Sequence, residues 1–514
     1  MIMRENTKLV FIDNDNRDFW ASGNHGSSIS FLGEKLLVSW SHKHAHDGQS
    51  SAIYASSADP VDYAWRPLAK IADNGEGGAV SKYPATNPVF HCDAGKMRLF
   101  WQVTSDGTQA SAQLRMRAGN MSDAFDSIHS VGWTTPVDGD PLTTSVSGDD
   151  FLNAAAALYP NAWPLLNGAF EPKKSFEKAP SFSSEKGHNL AAPDVDAAAI
   201  DAMIDALFAR IREFDNTYLK DVKQQLLENR PALRPILDRL RRFSDILRFF
   251  DALHAHMRRN TLIVFLYMVY DTYNMVVMRL TVFNMFSPDR YERGWQTRSQ
   301  PQKIRLENGA DRLLLPVHSD VVNLSVVLYS DDDGAHWHYA ETPILGRGTV
   351  EPSIVQRPSG KLTAFLRTKA PGLYLDRIAV SDSCDYGITW SPAVPILNAS
   401  IKSRKSGISA LSLKHSRFDP SLGPFVVIYT PDEDCRNLHL CVGFFGTTAG
   451  GGNRPLAWLE PVCLEQADND CRIGDPSVTE GDDGTLYISC SYRVSNGDGV
   501  SEKICVIQYD GLKG

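Results

Sequence analysis

A chain of 514 residues with 43% hydrophobic and 22% charged content has the composition of a soluble globular protein. It is long enough for two domains or one large repeat architecture. A net charge of −9 argues against a nucleic-acid binder, which needs an excess of Lys and Arg on one face. Eight cysteines without a CxxC pair make neither a disulfide framework nor a zinc site; they read as buried thiols, and no metal or cofactor is expected.

The first stretch, MIMRENTKLVFIDNDN, has no apolar run behind a basic start, so no signal peptide is expected and the expected location is the cytoplasm. Residues 1–135 alternate short apolar runs with Gly, Pro and Asp turns, the pattern of short strands. Residues 136–290 differ. An Ala-, Pro- and Ser-rich lead-in precedes 190–260, where Ile200, Met203, Ile204, Leu207 and Ile211 recur at helical spacing. Asp194 is a candidate cap, and Pro231 and Pro235 break the helical pattern. The apolar stretch 261–283 is interrupted by Asp271, Asn274 and Arg279, which favours buried helix or strand over a membrane span. From 291 to 514 the strand-and-turn pattern resumes.

Six segments within the strand-rich regions repeat one pattern, a polar start, a small or Pro residue, an aliphatic, a Gly turn and an apolar strand. They cover 24–40, 86–102, 300–319, 351–367, 406–429 and 475–493. Each reads as the two inner strands of a four-stranded blade, so the predicted fold is all-β, a six-bladed propeller with a mainly helical insertion after the second blade. Residues 1–135 supply blades one and two, and 291–514 supply blades three to six. KLVFID (8–13) and KICVIQYD (503–510) are expected to pair and close the ring.

SDDDGAHW (Ser330–Trp337) and SCDYGITW (Ser383–Trp390) both fit Ser-x-Asp-x-Gly-x-x-Trp, one blade apart, and SSADPVDYAW ends the first blade in a weaker version. In such a turn the carboxylate accepts backbone N–H bonds and the Trp packs between blades. The spacing lacks the later Glu of an EF-hand, so the acids are read as framework rather than calcium ligands. This is the Asp-box, or BNR repeat, and the chain resembles the sialidase-like β-propellers while departing from true sialidases.

The resemblance implies a sugar bound over the central axis, three arginines gripping a carboxylate, an aspartic acid as general acid, and a Tyr nucleophile assisted by Glu. Glu351 and Arg367, sixteen residues apart, match the family's Glu and second arginine; an ion pair between them is the alternative reading. SHKHAHDGQSS resembles the loop of the general acid and makes Asp47 its candidate. His42, His44 and His46 alternate just before it, one face of an extended strand; solvated histidines are preferred there to a metal set. Arg404 is the candidate third arginine. Asn24, Asn87, Tyr492 and Arg493 complete the candidate substrate contacts. Two signature residues are replaced: His25 stands near the first arginine's place, and Asp475 where the Tyr is expected.

Three readings follow. The first is a glycoside hydrolase acting on an acidic sugar, with Asp47 or His25 as proton donor, Asp475 or Glu351 as nucleophile or base, and Arg367 on the carboxylate. The second is a lyase eliminating across a uronic acid, with His25 as base. The third is a carbohydrate-binding or assembly propeller, a homo-oligomer through the amphipathic insertion. A saccharide is the expected partner, with neither nucleic acid nor membrane.

Overall fold

The computed structural model describes residues 6–12, 23–43, 51–73, most of 85–142, most of 294–445, and 457–513 apart from 497–498. These residues form six antiparallel sheets of four or five strands. The first strands of successive sheets contact one another around a ring, which makes the structure a six-bladed propeller with those strands innermost. They are Asn24–Leu32, Ala85–Asp93, Gln302–Arg305 (preceded by Gln296–Thr297 on the same neighbour), Thr349–Gln356, Ser409–Ser412 and Cys471–Glu480. In each blade a hairpin joins the innermost strand to the second, as the repeat predicts.

Ring closure is also as predicted. Thr7–Phe11 adds to the outside of the sixth sheet, pairing Thr7 with Tyr509 and Phe11 with Cys505. The first and last strands of the chain thus share one blade and leave no open seam between them.

The core lies between the blades. Period-2 alternation puts one face of every strand against the next sheet. Val89 and Phe100 of blade two pack on Leu315, Val326 and Trp337 of blade three, and the Phe100 and Trp337 rings meet edge-on at 5.5 Å. Both Asp-boxes are built alike. Ser330 donates to Asp332 at 2.8 Å, Gly334 N–H donates to Ser330 at 2.8 Å, His336 N–H donates to Asp332 at 2.9 Å, and Trp337 donates to the Gly334 carbonyl at 3.2 Å. Ser383, Asp385, Gly387, Thr389 and Trp390 repeat all four bonds at 2.8 to 3.0 Å.

The two acids flanking Asp332 are also committed. Asp331 holds Arg312 through two bonds, and Asp333 reaches blade two to meet Lys96 and Arg98. The expected helices at 190–260, the apolar stretch 261–283 and any assembly through the insertion lie outside the described residues. Among the described residues no helix is long and apolar enough to cross a membrane, and no group of three or more His, Cys, Asp or Glu is arranged to hold a metal ion. All eight cysteines are free.

Candidate functional site

Four of the six innermost strands break register at the same place. The shifts fall between His25 and Ser28, Thr86 and Val89, Val350 and Ser353, and Gly474 and Ser477. At each bulge one residue is left-handed: Gly26, Asn87, Glu351 and Asp475, with φ between 52° and 64°. In the last three a proline follows, and its missing N–H suits a position withdrawn from the ladder. Bulges turn a side chain out of the strand's alternation. A left-handed non-glycine residue costs of order 1–3 kcal/mol and persists only where the surroundings hold it. Serines from neighbouring segments do part of that holding. Ser41 accepts the Asn87 N–H at 3.0 Å, and Ser406 accepts the Asp475 N–H at 2.8 Å.

The bulges bring Glu351 and Asp475 together around a residue absent from the sequence-based candidates, Arg298. Its Nη2 lies 3.0 Å from Asp475 and its Nε 3.9 Å from Glu351. A side chain at Gly26 would meet Arg298 Nη1 and Asn87 Oδ1, each at 2.9 Å. Arg298 therefore reaches from blade three to Gly26 of blade one, Glu351 of blade four and Asp475 of blade six. Gly407 lies between the two acids, where a Cβ would come within 3.2 Å of Glu351 Oε2 and 3.5 Å of Asp475 Oδ1.

Glu351 and Arg367 form the ion pair that sequence left as the alternative. Arg367 Nε and Nη2 donate to the two carboxylate oxygens at 2.8 and 2.7 Å, and the side chains are 6% and 11% exposed. Burial alone would raise the Glu351 pKa, but Arg367, Arg298 and His318 outweigh it and hold the carboxyl well below its usual range. The two-pronged edge by which Arg367 could meet a carboxylate is turned to Glu351.

His25 sits beside this group, partly exposed. Burial and the charges of Lys43 and Arg298 lower its pKa to about 4, against the pull of Asp475. The lowered pKa favours the neutral imidazole, which suits a base better than a proton donor. At the blade-six edge Glu502 faces Arg493 at 3.7 Å; burial raises its pKa against the charges of Arg493 and Lys43.

Two further candidates are held within the fold by their neighbours. Asn24 is buried, accepts from Trp40 at 3.0 Å, meets His42 Nδ1 at 3.0 Å, and donates to the Glu502 carbonyl at 3.0 Å. Tyr492 faces the core between blades, its ring edge-on to Phe11 at 5.4 Å. Asn87 stays on the left-handed bulge of the innermost strand of blade two, and Arg493 faces Glu502. Asp47, Arg404, His44 and His46 lie outside the described residues. Arg298 had one signal in sequence: it opens blade three as Glu351 and Asp475 open theirs. Its proline comes three residues later, at Pro301, instead of immediately after.

Comparisons with known proteins agree with this architecture. Residues 298–488 match a family described as BNR repeat-like domain. An anhydrosialidase of Macrobdella decora is 31% identical over 155 residues, a segment that makes up 29% of this chain and 19% of that protein. The intramolecular trans-sialidase from Ruminococcus gnavus, solved with oseltamivir carboxylate, superposes with a TM-score of 0.50 at 12% identity over 97% of both chains. The Trypanosoma rangeli sialidase, solved with the inhibitor DANA, gives 0.50 at 12% identity over 99% of this chain and 58% of its own. At such identities these two structures bear on the fold alone.

Proposed function

We propose that this chain, a sialidase-like BNR-repeat propeller, is a glycoside hydrolase that takes an exposed, carboxylate-bearing sugar over its axis. The observation that carries the reading is Asp475, a carboxylate on a left-handed bulge of the innermost strand, 23% exposed and held by Arg298 and the Ser406 hydroxyl. Strain kept at an axial position, with an acid turned out of the ladder, is the form a working group takes.

The roles divide by environment. Glu351, fixed by two guanidiniums, has no proton to give and is poorly placed to surrender its charge; its part is to hold Arg367 and Arg298. The Asp475 side chain is ion-paired with Arg298 and is 23% exposed, which suits a nucleophile or base. A retaining reaction would form a glycosyl ester on Asp475 and release it to water. The proton for the leaving group is assigned to Asp47, on the sequence resemblance. Gly407 leaves the space between the two acids free of side chain.

A panel of 4-methylumbelliferyl sialosides, uronides and neutral glycosides tests the reading. Release of fluorophore from the acidic members is expected, and Asp475→Asn should lower it about 10²–10⁴-fold. No release from any member by the wild-type protein would sink it. The lyase reading has one observation in its favour, a neutral His25 beside Arg298, the base and cation that elimination from a uronic acid needs. Products absorbing in the ultraviolet from a polyuronide would select it.

A further inference from the structure

We infer that Arg298, delivered from blade three, contacts the anionic group of the ligand and sets the preference for an acidic sugar, and that Gly26 is glycine to seat it. The inference deepens the axial-site reading above and rests on it. Arg298 occupies none of the positions from which the sequence predicted a carboxylate contact, which were Arg367, Arg404 and the start of blade one.

The argument starts from which cation still has donors to offer. A guanidinium carries five N–H groups in a planar fork. Arg367 spends Nε and Nη2 on Glu351 and is 11% exposed. Arg298 is 21% exposed; Nη2 is ion-paired with Asp475 at 3.0 Å, and Nε stands 3.9 Å from Glu351, beyond hydrogen-bond length. One Nη2 hydrogen and the Nη1 pair remain, with Nη1 on the edge that faces Gly26. That edge is the two-donor geometry that fits a carboxylate.

Gly26 makes the approach possible. Any Cβ there would stand 2.9 Å from Nη1, closer than side-chain carbons come to other atoms, and the backbone is left-handed at φ 64°. Blade one therefore contributes an absence of side chain where the resemblance expects an arginine nearby, and blade three fills the space. A ligand carboxylate on Nη1 and Nη2 would sit beside Asp475, bringing the anion-binding atom and the proposed nucleophile within one side chain of each other.

The test is equilibrium binding, which does not depend on turnover. Calorimetry would compare N-acetylneuraminate and glucuronate with their methyl esters, on wild type, Arg298→Gln, Arg298→Lys and Gly26→Ala. Wild type should prefer acid to ester. Arg298→Gln should lose about 10- to 100-fold in affinity for the acid, the range for a charge-assisted hydrogen bond, and change ester binding under about threefold. Arg298→Lys, which keeps the charge and loses the fork, should fall between. Gly26→Ala should mimic the loss with Arg298 still present.

Equal loss for acid and ester, or an acid preference that survives in Arg298→Gln, overturns the inference while leaving the hydrolase reading intact. Acid binding through Arg298 without turnover would uphold it and sink the hydrolase. No binding of any probe by wild type removes both. Thermal melts of each variant identify a folding failure, and in that event the comparison of Arg298→Lys with wild type decides.

Discussion

The outer turns and the innermost strands of the blades use acids in opposite ways. At the Asp-boxes, every acid of Ser330–Trp337 is assigned: Asp332 to its own turn, Asp331 to Arg312, Asp333 to Lys96 and Arg98. The same side-chain bonds recur in Ser383–Trp390. At the axis, Asp475 and Glu351 stand on strained bulges and share Arg298 unequally. A cluster of three adjacent acids thus turns out to be the quieter place, because each carboxylate there is locally satisfied. Chemistry is to be sought where the backbone is bent to present an acid and the partner count falls short.

That contrast is broken most sharply by exchanging one acid from each set. Asp475→Asn should remove activity by the two to four orders of magnitude proposed above while the melting temperature moves by a few degrees at most. Asp385→Asn should do the reverse, lowering stability by about 1–2 kcal/mol through its lost turn bonds and leaving turnover alone. If Asp385→Asn abolished turnover in a folded protein, the division of labour would be wrong. On the framework side the largest loss should come from Trp337→Ala. It empties the contact with Phe100 between blades two and three and should cost about 3–5 kcal/mol in urea unfolding, with ligand affinity unchanged.

A smaller effect separates the two axial groups by pH. His25 titrates near 6.5 when unfolded and near 4 when folded, so between those values the unfolded chain binds more protons and stability falls as pH falls. Glu351 is depressed from 4.5, so its contribution is fully present above that value and is lost on further acidification. His25→Gln should flatten the stability profile between about pH 6.5 and 4, and Glu351→Gln only below about 4.5. Identical profiles for the two variants would contradict the assigned environments.

The fold was legible because its signals are local. Hairpin repeats, a Gly turn and the Asp-box each lie within about twenty residues, and the two matched boxes set the blade register. Glu351 and Asp475 were legible as axial for the same reason. What escaped depends on distant partners. Arg298 opens blade three as the two acids open theirs, but its partners show only when blades one, four and six are placed around it. The orientation of Arg367 is decided by Glu351, and that of Asn24 by Trp40, His42 and Glu502. Tyr492 was recoverable: Ile488, Cys490 and Tyr492 share one face at period two, and the first two are core.

The smallest effect tests the claim that neighbouring acids differ by their partners rather than by their sequence. Asp331 is 45% exposed and bonds Arg312 in the same blade. Its charge is screened, and Arg312 also donates to the Tyr386 carbonyl and stacks over Tyr329, so it keeps partners when the acid is gone. Asp331→Asn should therefore cost no more than about 1 kcal/mol, and less in high salt. Asp333→Asn should cost more. Arg98 is 7% exposed, and losing Asp333 leaves that buried guanidinium without its anion across the blade boundary. Denaturant midpoints measured side by side check the order. Equal costs for the two would mean that the seam between blades two and three does not depend on its ion pair, and that Trp337 alone holds it.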